Sequence, residues 1–128
     1  MAIVGIDHVV MRVKDLDAGI ANYEKLGMKL EKTLETEGIG KQAIFRFDDG
    51  TFIELVQPTD PASPVGAALE KRGEGVHTVA MATTDFTDTV SALEEGGSPV
   101  LKQGGMDTSA FIHPKATNGV LLQLSAKE

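Results

Sequence analysis

Gly5–Lys32, GIDHVVMRVKDLDAGIANYEKLGMKLEK, falls without a gap on Gly75–Lys102, GVHTVAMATTDFTDTVSALEEGGSPVLK, when the chain is laid over itself at an offset of 70. Seven of the 28 positions are identical: Gly5/Gly75, Val9/Val79, Met11/Met81, Asp15/Asp85, Glu24/Glu94, Gly27/Gly97 and Lys32/Lys102. Others keep their character, as in Ile6/Val76, Leu16/Phe86, Ile20/Val90 and Leu30/Val100. Each copy reads as a short strand (Ile6–Val13, Val76–Thr83), then a helix that starts at an N-capping aspartate, Asp15 or Asp85. Apolar residues follow at helical spacing: Leu16, Ile20 and Tyr23, then Phe86, Val90 and Leu93. Gly27 and Gly96-Gly97 tolerate the left-handed conformation that ends a helix.

Further strands are expected at Met28–Glu35, Gln42–Phe47 and Thr51–Val56, and again at Ser98–Gln103, Ser109–His113 and Val120–Leu124. Turns at Asp48-Asp49-Gly50 and Pro114–Gly119 separate the last pairs. The fold class that follows is α+β: two tandem β-α-β-β-β modules, 1–57 and 74–128, forming a curved mixed sheet around a central cleft. Residues 58–73 make a connector whose Val65–Lys71 stretch can form a short helix.

The 128 residues suit a single domain, and a composition 41% hydrophobic and 24% charged supplies a core and argues against disorder. No apolar run approaches the ~20 residues that span a bilayer, and MAIVGIDHVV has no basic region of a signal peptide. A cytoplasmic location is expected. The absence of cysteine excludes disulfides, thiolate metal sites and a cysteine nucleophile. A net charge of −7, with no basic run, opposes binding to nucleic acid or to a membrane surface.

Strand alternation then singles out polar side chains. On the first strand Val9, Met11 and Val13 should pack under the helix, which leaves Ile6, His8, Val10 and Arg12 on the other face. Thr78 is the duplicate of His8. Glu54, inside FIELV, matches Gln123, inside VLLQL, at an offset of 69. Polar groups there are unfavourable if buried without partners. A pseudo-twofold between the duplicated units would bring His8, Glu54, Thr78 and Gln123 towards one axis, as a small-molecule site requires. Plainer roles exist for each: a histidine satisfied in the core, or a glutamate on a solvated face. His77 falls on the helix side and reads as structural. His113 suits either a turn or a ligand contact. Met11, Met28, Met81 and Met106 read as core or wall, and Glu70-Lys71-Arg72 as a solvated helix end.

The duplicated pattern resembles the vicinal oxygen chelate superfamily, which includes glyoxalase I, extradiol dioxygenases, antibiotic resistance proteins and methylmalonyl-CoA epimerase. Four stretches are similar to the epimerase branch: IDHVVMRVKDLD (6–17), IELVQPTDPASPVGAALEKRGEGVH (53–77), FIHPKATNGV (111–120) and VLLQL (120–124). The resemblance implies a divalent metal (Co, Ni, Mn, Zn or Fe) on four ligands, of which His8 and Glu54 match the first two. The third position holds Thr78, because His77 stands one residue early, and the fourth holds Gln123 in place of glutamate. A β-bulge would be needed to turn His77 inward. What it implies for activity is metal-assisted enolate formation on a small carbonyl or acyl-thioester substrate. Its metal site would be His8, Glu54 and Gln123, with Glu54 the catalytic carboxylate, Thr78 and Lys115 contacting substrate, and a homodimer as the assembly. Gln123 exchanges no proton at neutral pH, so a two-base epimerisation lacks one base. The alternatives are a metal-free binding protein of the antibiotic-sequestering kind and a glyoxalase I-type lactoylglutathione lyase. Aromatic residues at 5%, with no tryptophan, supply little flat surface for the sequestering role.

Overall fold

A computed structural model describes residues 2–102 and 109–127. Met106 and the end of the expected strand at Gln103 lie outside the described residues. The elements run β1 (Ala2–Arg12), α1 (Leu16–Lys25), β2 (Lys32–Thr36), β3 (Gly40–Arg46), β4 (Phe52–Gln57), α2 (Pro64–Arg72), β5 (Gly75–Thr84), α3 (Phe86–Glu95), β6 (Val100–Lys102), β7 (Ser109–Ile112) and β8 (Leu122–Ala126). A short 3-10 turn, Pro114–Ala116, stands between β7 and β8. The fold is α+β, and β-α-β-β-β occurs twice with α2 between the repeats. No helix among the described residues is long and apolar enough to cross a membrane.

Two compact units divide the chain, residues 9–77 and residues 1–8 with 78–128. In the unit 9–77, β3 pairs antiparallel with both β2 and β4. Alternation sends Ala43 and Phe45 of β3 and Ile53 and Leu55 of β4 to one face. There they meet Met11, Val13, Leu16, Ile20 and Tyr23 in a single core. The Tyr23 hydroxyl donates to the Met11 sulfur at 3.0 Å, so the one tyrosine is half-buried with its polar end satisfied. A smaller cluster of Val10, Val56 and Val65 seats α2.

In the other unit β5 and β8 are parallel, with Val79 opposite Leu122 and Ala80 opposite Gln123, while β7 runs antiparallel to both β6 and β8. The sheet of this unit is therefore mixed. Its core gathers Val90, Ala110, Ile112 and Leu124, with Met81, Phe86, Leu93, Val100 and Leu122 packed against them. The amphipathic pattern of α3 explains this face.

The duplicated punctuation is kept in part. Gly27 and Gly97 have φ of 90° and 87°, the left-handed geometry expected after each helix. Asp15 caps α1 by accepting from the Ala18 N–H at 3.3 Å, and the Gln57 side chain accepts from the Leu16 N–H at 2.8 Å. Asp85 differs: it occupies the same place before α3 but has φ 51° and makes no side-chain cap bond. A left-handed backbone at that residue turns its carboxylate away from the first amides, so the equivalence of sequence is not an equivalence of function. Strand boundaries shift by a few residues, and β1 starts at Ala2, ahead of Ile6.

These two aspartates predict opposite responses. Asp15→Ala should lower unfolding free energy by about 1 kcal/mol through loss of the cap. Asp85→Gly should leave it unchanged or raise it by up to ~1 kcal/mol, because no cap is lost and the left-handed residue is relieved. Urea denaturation of the three proteins measures both, and equal losses would refute the distinction.

Candidate functional site

On β4, Ile53 and Leu55 are committed to the helix-covered core, so Glu54 faces the other side of the sheet. It is half-buried there. Register places Ile44 opposite Glu54 and Val56 opposite Gln42, which makes Gln42 and Glu54 diagonal neighbours on one face. The Gln42 amide nitrogen donates to Glu54 Oε2 at 3.0 Å, and the Thr36 hydroxyl donates to Gln42 Oε1 at 2.5 Å. Gln42 is buried at 7% exposure, so neither end of its amide has bulk water as a substitute partner.

In the unit that contains residues 1–8 and 78–128, Leu122 and Leu124 belong to the helix side and Gln123 to the opposite face. Ala80 is its register partner on β5. Two residues back on the same face is Thr78, at 1% exposure. Thr78 Oγ1 is buried with no hydrogen-bond partner among the described residues. Gln123 donates its amide nitrogen to Ser109 Oγ at 2.9 Å, which turns its carbonyl oxygen the other way. Thr78 and Gln123 thus share a face, and that face presents an unsatisfied hydroxyl.

His8, in the same unit, is buried at 8% exposure, and its Nδ1 is 2.7 Å from Asp7 Oδ2. A carboxylate on Nδ1 fixes the ring and directs any metal bond to Nε2. Lys115 is exposed on the turn after β7. His113 accepts from the Lys115 N–H at 3.0 Å through Nδ1, which gives it the turn role.

His77 is also settled by its contacts. Its Nδ1 lies 3.2 Å from Arg12 Nη1, a guanidinium that also donates to the carbonyls of Gly73 and Val76 at 3.1 Å. An arginine only donates, so His77 accepts and is neutral at that nitrogen. Burial, then the charges of Arg12 and Arg72, push His77 down from 6.5 to about 4. Its role is structural.

Each of the three donors is held by a neighbour. Asp7 holds the remote nitrogen of His8, Gln42 one oxygen of Glu54, and Ser109 the amide nitrogen of Gln123. Such outer hydrogen bonds are what orient metal ligands. An imidazole nitrogen, a carboxylate oxygen and an amide oxygen are each donor types that divalent transition-metal ions accept. Among the described residues no group of three or more His, Cys, Asp or Glu side chains is placed to hold a metal ion. Thr36, Gln42 and Ser109 were not singled out from sequence, although Gln42 stands in an apolar strand, QAIFRF, on the same alternation as Ile44.

A family model described as a glyoxalase-like domain matches residues 6–123. The chain belongs to the glyoxalase-like family. The ethylmalonyl-CoA/methylmalonyl-CoA epimerase of Cereibacter sphaeroides is 32% identical over 127 residues, covering 93% of this chain and 95% of that protein. Among solved structures, Streptomyces coelicolor methylmalonyl-CoA epimerase in complex with 2-nitronate-propionyl-CoA superimposes with a TM-score of 0.86 at 32% identity, over 98% of this chain and 99% of that one. A methylmalonyl-CoA epimerase in complex with methylmalonyl-CoA and NH4+ matches equally, with TM-score 0.86, 32% identity, and 98% and 96% coverage. The chain is thus similar in sequence and in fold to methylmalonyl-CoA epimerases.

The His77 contact predicts a pH effect with a definite sign. The folded state binds the proton less readily than the unfolded chain, so the contribution is complete above pH 6.5 and is lost as pH falls through about 4. It amounts to at most about 3 kcal/mol, reduced by solvent screening. Denaturation curves from pH 7 to 4 for the native chain and His77→Gln should show the native chain losing more stability over that window. Parallel curves would refute it.

Proposed function

We propose that this glyoxalase-like chain is an epimerase-like enzyme that removes a proton beside the carbonyl of an acyl-thioester or other small carbonyl substrate. Glu54 carries the reading: a half-buried carboxylate on an apolar strand, with one oxygen held by a buried amide. The relatives give the substrate class, since solved epimerases carry 2-nitronate-propionyl-CoA and methylmalonyl-CoA.

His8, Glu54 and Gln123 would hold a divalent metal. When bound, that ion supplies a Lewis acid for the substrate oxygens and lowers the energy of the enolate. Glu54 serves as ligand or as base; as the base it takes the α-proton, and a proton exchanged with solvent returns to carbon, a transfer that contributes about 10²–10⁴-fold to such reactions. The buried Thr78 hydroxyl gains a partner when it donates to a substrate oxygen, which removes the penalty of an unsatisfied group. Lys115, exposed, attracts an anionic part of the substrate. Modules 1–57 and 74–128, a homodimer and a cytoplasmic location belong to the same proposal.

The experiment is α-proton exchange in D2O. Purified chain, with Co, Ni, Mn or Zn added in turn, is incubated with methylmalonyl-CoA and propionyl-CoA, and deuterium uptake is followed by mass spectrometry. Uptake well above the buffer rate is expected, reduced at least ~100-fold by Glu54→Gln. Thr78→Val should reduce it about threefold to tenfold, in line with one hydrogen bond. Lys115→Ala should raise KM with kcat kept. Metal content, measured on native protein and on His8→Ala/Glu54→Ala, should fall in the double variant. Uptake at the buffer rate with every metal, or full activity in Glu54→Gln, would overturn the proposal.

A further inference from the structure

We infer that Thr36 and Gln42 are positioning residues for Glu54, and that they decide which of its two oxygens is presented for chemistry. The inference rests on the reading of Glu54 as the working carboxylate. Its basis is the order of donors along β2, β3 and β4. An ionised carboxylate only accepts hydrogen bonds, so the group of Gln42 that meets Glu54 Oε2 must be the NH2. The amide oxygen then points to Thr36, whose hydroxyl must donate. Direction is therefore fixed from one end to the other: Thr36 O–H to Gln42 Oε1, and Gln42 N–H to Glu54 Oε2.

An amide has almost the same shape when flipped, so geometry alone does not keep Gln42 in this sense. Flipped, it would set its oxygen 3.0 Å from Glu54 Oε2, two acceptors in contact. The carboxylate, which only accepts, therefore sets the sense of the amide, and Thr36, whose hydroxyl can donate or accept, pins it by donating to Oε1 inside a site where Gln42 is 7% exposed. With Oε2 engaged, Oε1 of Glu54 is the oxygen presented to the proton or the metal. Thr36 is on an outer strand beside exposed Leu34 and Glu35, remote from the hydrophobic cluster that β3 and β4 build with α1. Its hydroxyl therefore has little structural duty apart from this bond.

Thr36→Val, which keeps the branched shape and removes the donor, is the decisive variant, with Thr36→Ser as the conservative one. The first readout needs no substrate: the side-chain NH2 of Gln42 in 15N-labelled protein. In native protein and Thr36→Ser it should give two resolved, slowly exchanging protons. In Thr36→Val hydrogen exchange of this group should speed up by about tenfold, as expected for one lost hydrogen bond. The second readout is deuterium uptake by methylmalonyl-CoA. For Thr36→Val, kcat should fall about threefold to tenfold with KM within about twofold, and Thr36→Ser should recover native kcat within about twofold. The melting temperature of Thr36→Val should fall by about 3–10 °C, as a buried acceptor left without its donor requires, and Thr36→Ser should restore it.

An unchanged Gln42 signal and unchanged kcat in Thr36→Val would overturn the inference. A loss of kcat that Thr36→Ser does not restore, or that disappears when each protein is assayed equally far below its own melting temperature, would overturn it too. A native protein with the ordered amide signal but no isotope exchange would instead remove Glu54 as the working carboxylate. That result leaves the hydrogen-bond chain intact and ends its catalytic meaning, so the two failures are told apart.

Discussion

Two strands of this protein have to hide their odd partners. Ile53 and Leu55 on β4, and Leu122 and Leu124 on β8, supply the helix-covered cores of their units. Because side chains alternate, that commitment drives Glu54 and Gln123 to the opposite faces, and no rotamer can return them. Polar groups half-buried on an apolar sheet then need partners. Gln42 and Thr36 serve Glu54, and Ser109 serves Gln123. The polar residues of the site are thus a consequence of how the core is filled. A one-residue slip of either strand would exchange core and site together, so core packing also guards the chemistry.

Arg12 shows a second way of handling a buried polar group. It is 5% exposed, and among the described residues its guanidinium meets two carbonyls and a histidine but no carboxylate. A carboxylate partner would have neutralised it; carbonyl oxygens only solvate it, which is why burial and Arg72 push its proton affinity down. The gain is geometric. One side chain near the end of β1 grips the segment where α2 ends and β5 begins, through Gly73, Val76 and His77. Glu74 adds a contact at the same place by accepting from the Lys14 N–H at 2.9 Å. The connector between the repeats is therefore pinned at its exit, and His77, which in sequence stands one place from a ligand position, is consumed in doing so.

Much of this was legible in the chain alone. Period-two alternation places His8, Glu54, Thr78 and Gln123 off the core faces, and the duplication gives the element order. Asp15 and Gly27 behave as their residue types require. Asp85 does not, because the N-cap depends on backbone angles that a matching residue does not transmit. Gln42 was hidden for a different reason. Its partner comes from pairing between β3 and β4, and the register that makes residues 42 and 54 neighbours follows from the loop joining the strands. Arg12 was placed on the right face, but its partners are more than sixty residues away and have no local signal.

The distribution of amides and acids bears most directly on chemistry. A carboxylate at residue 123 would bring a negative charge and a group able to take a proton; an amide brings an oxygen of similar reach and neither property. Around Thr78 the polar neighbours on β8 and β7 are Gln123 and Ser109, both neutral, so that face can orient a substrate oxygen without competing for its proton. In the other unit Glu54 has Gln42 and Thr36, again neutral, beside it. Neutral neighbours keep a carboxylate from being forced to share a proton, as adjacent acids must. Neutral side chains thus orient both groups: Gln42 donates to Glu54, and Ser109 accepts from Gln123. On the proposed reading, proton movement between carbon and protein would fall to Glu54, whose Oε2 is held by the Gln42 amide.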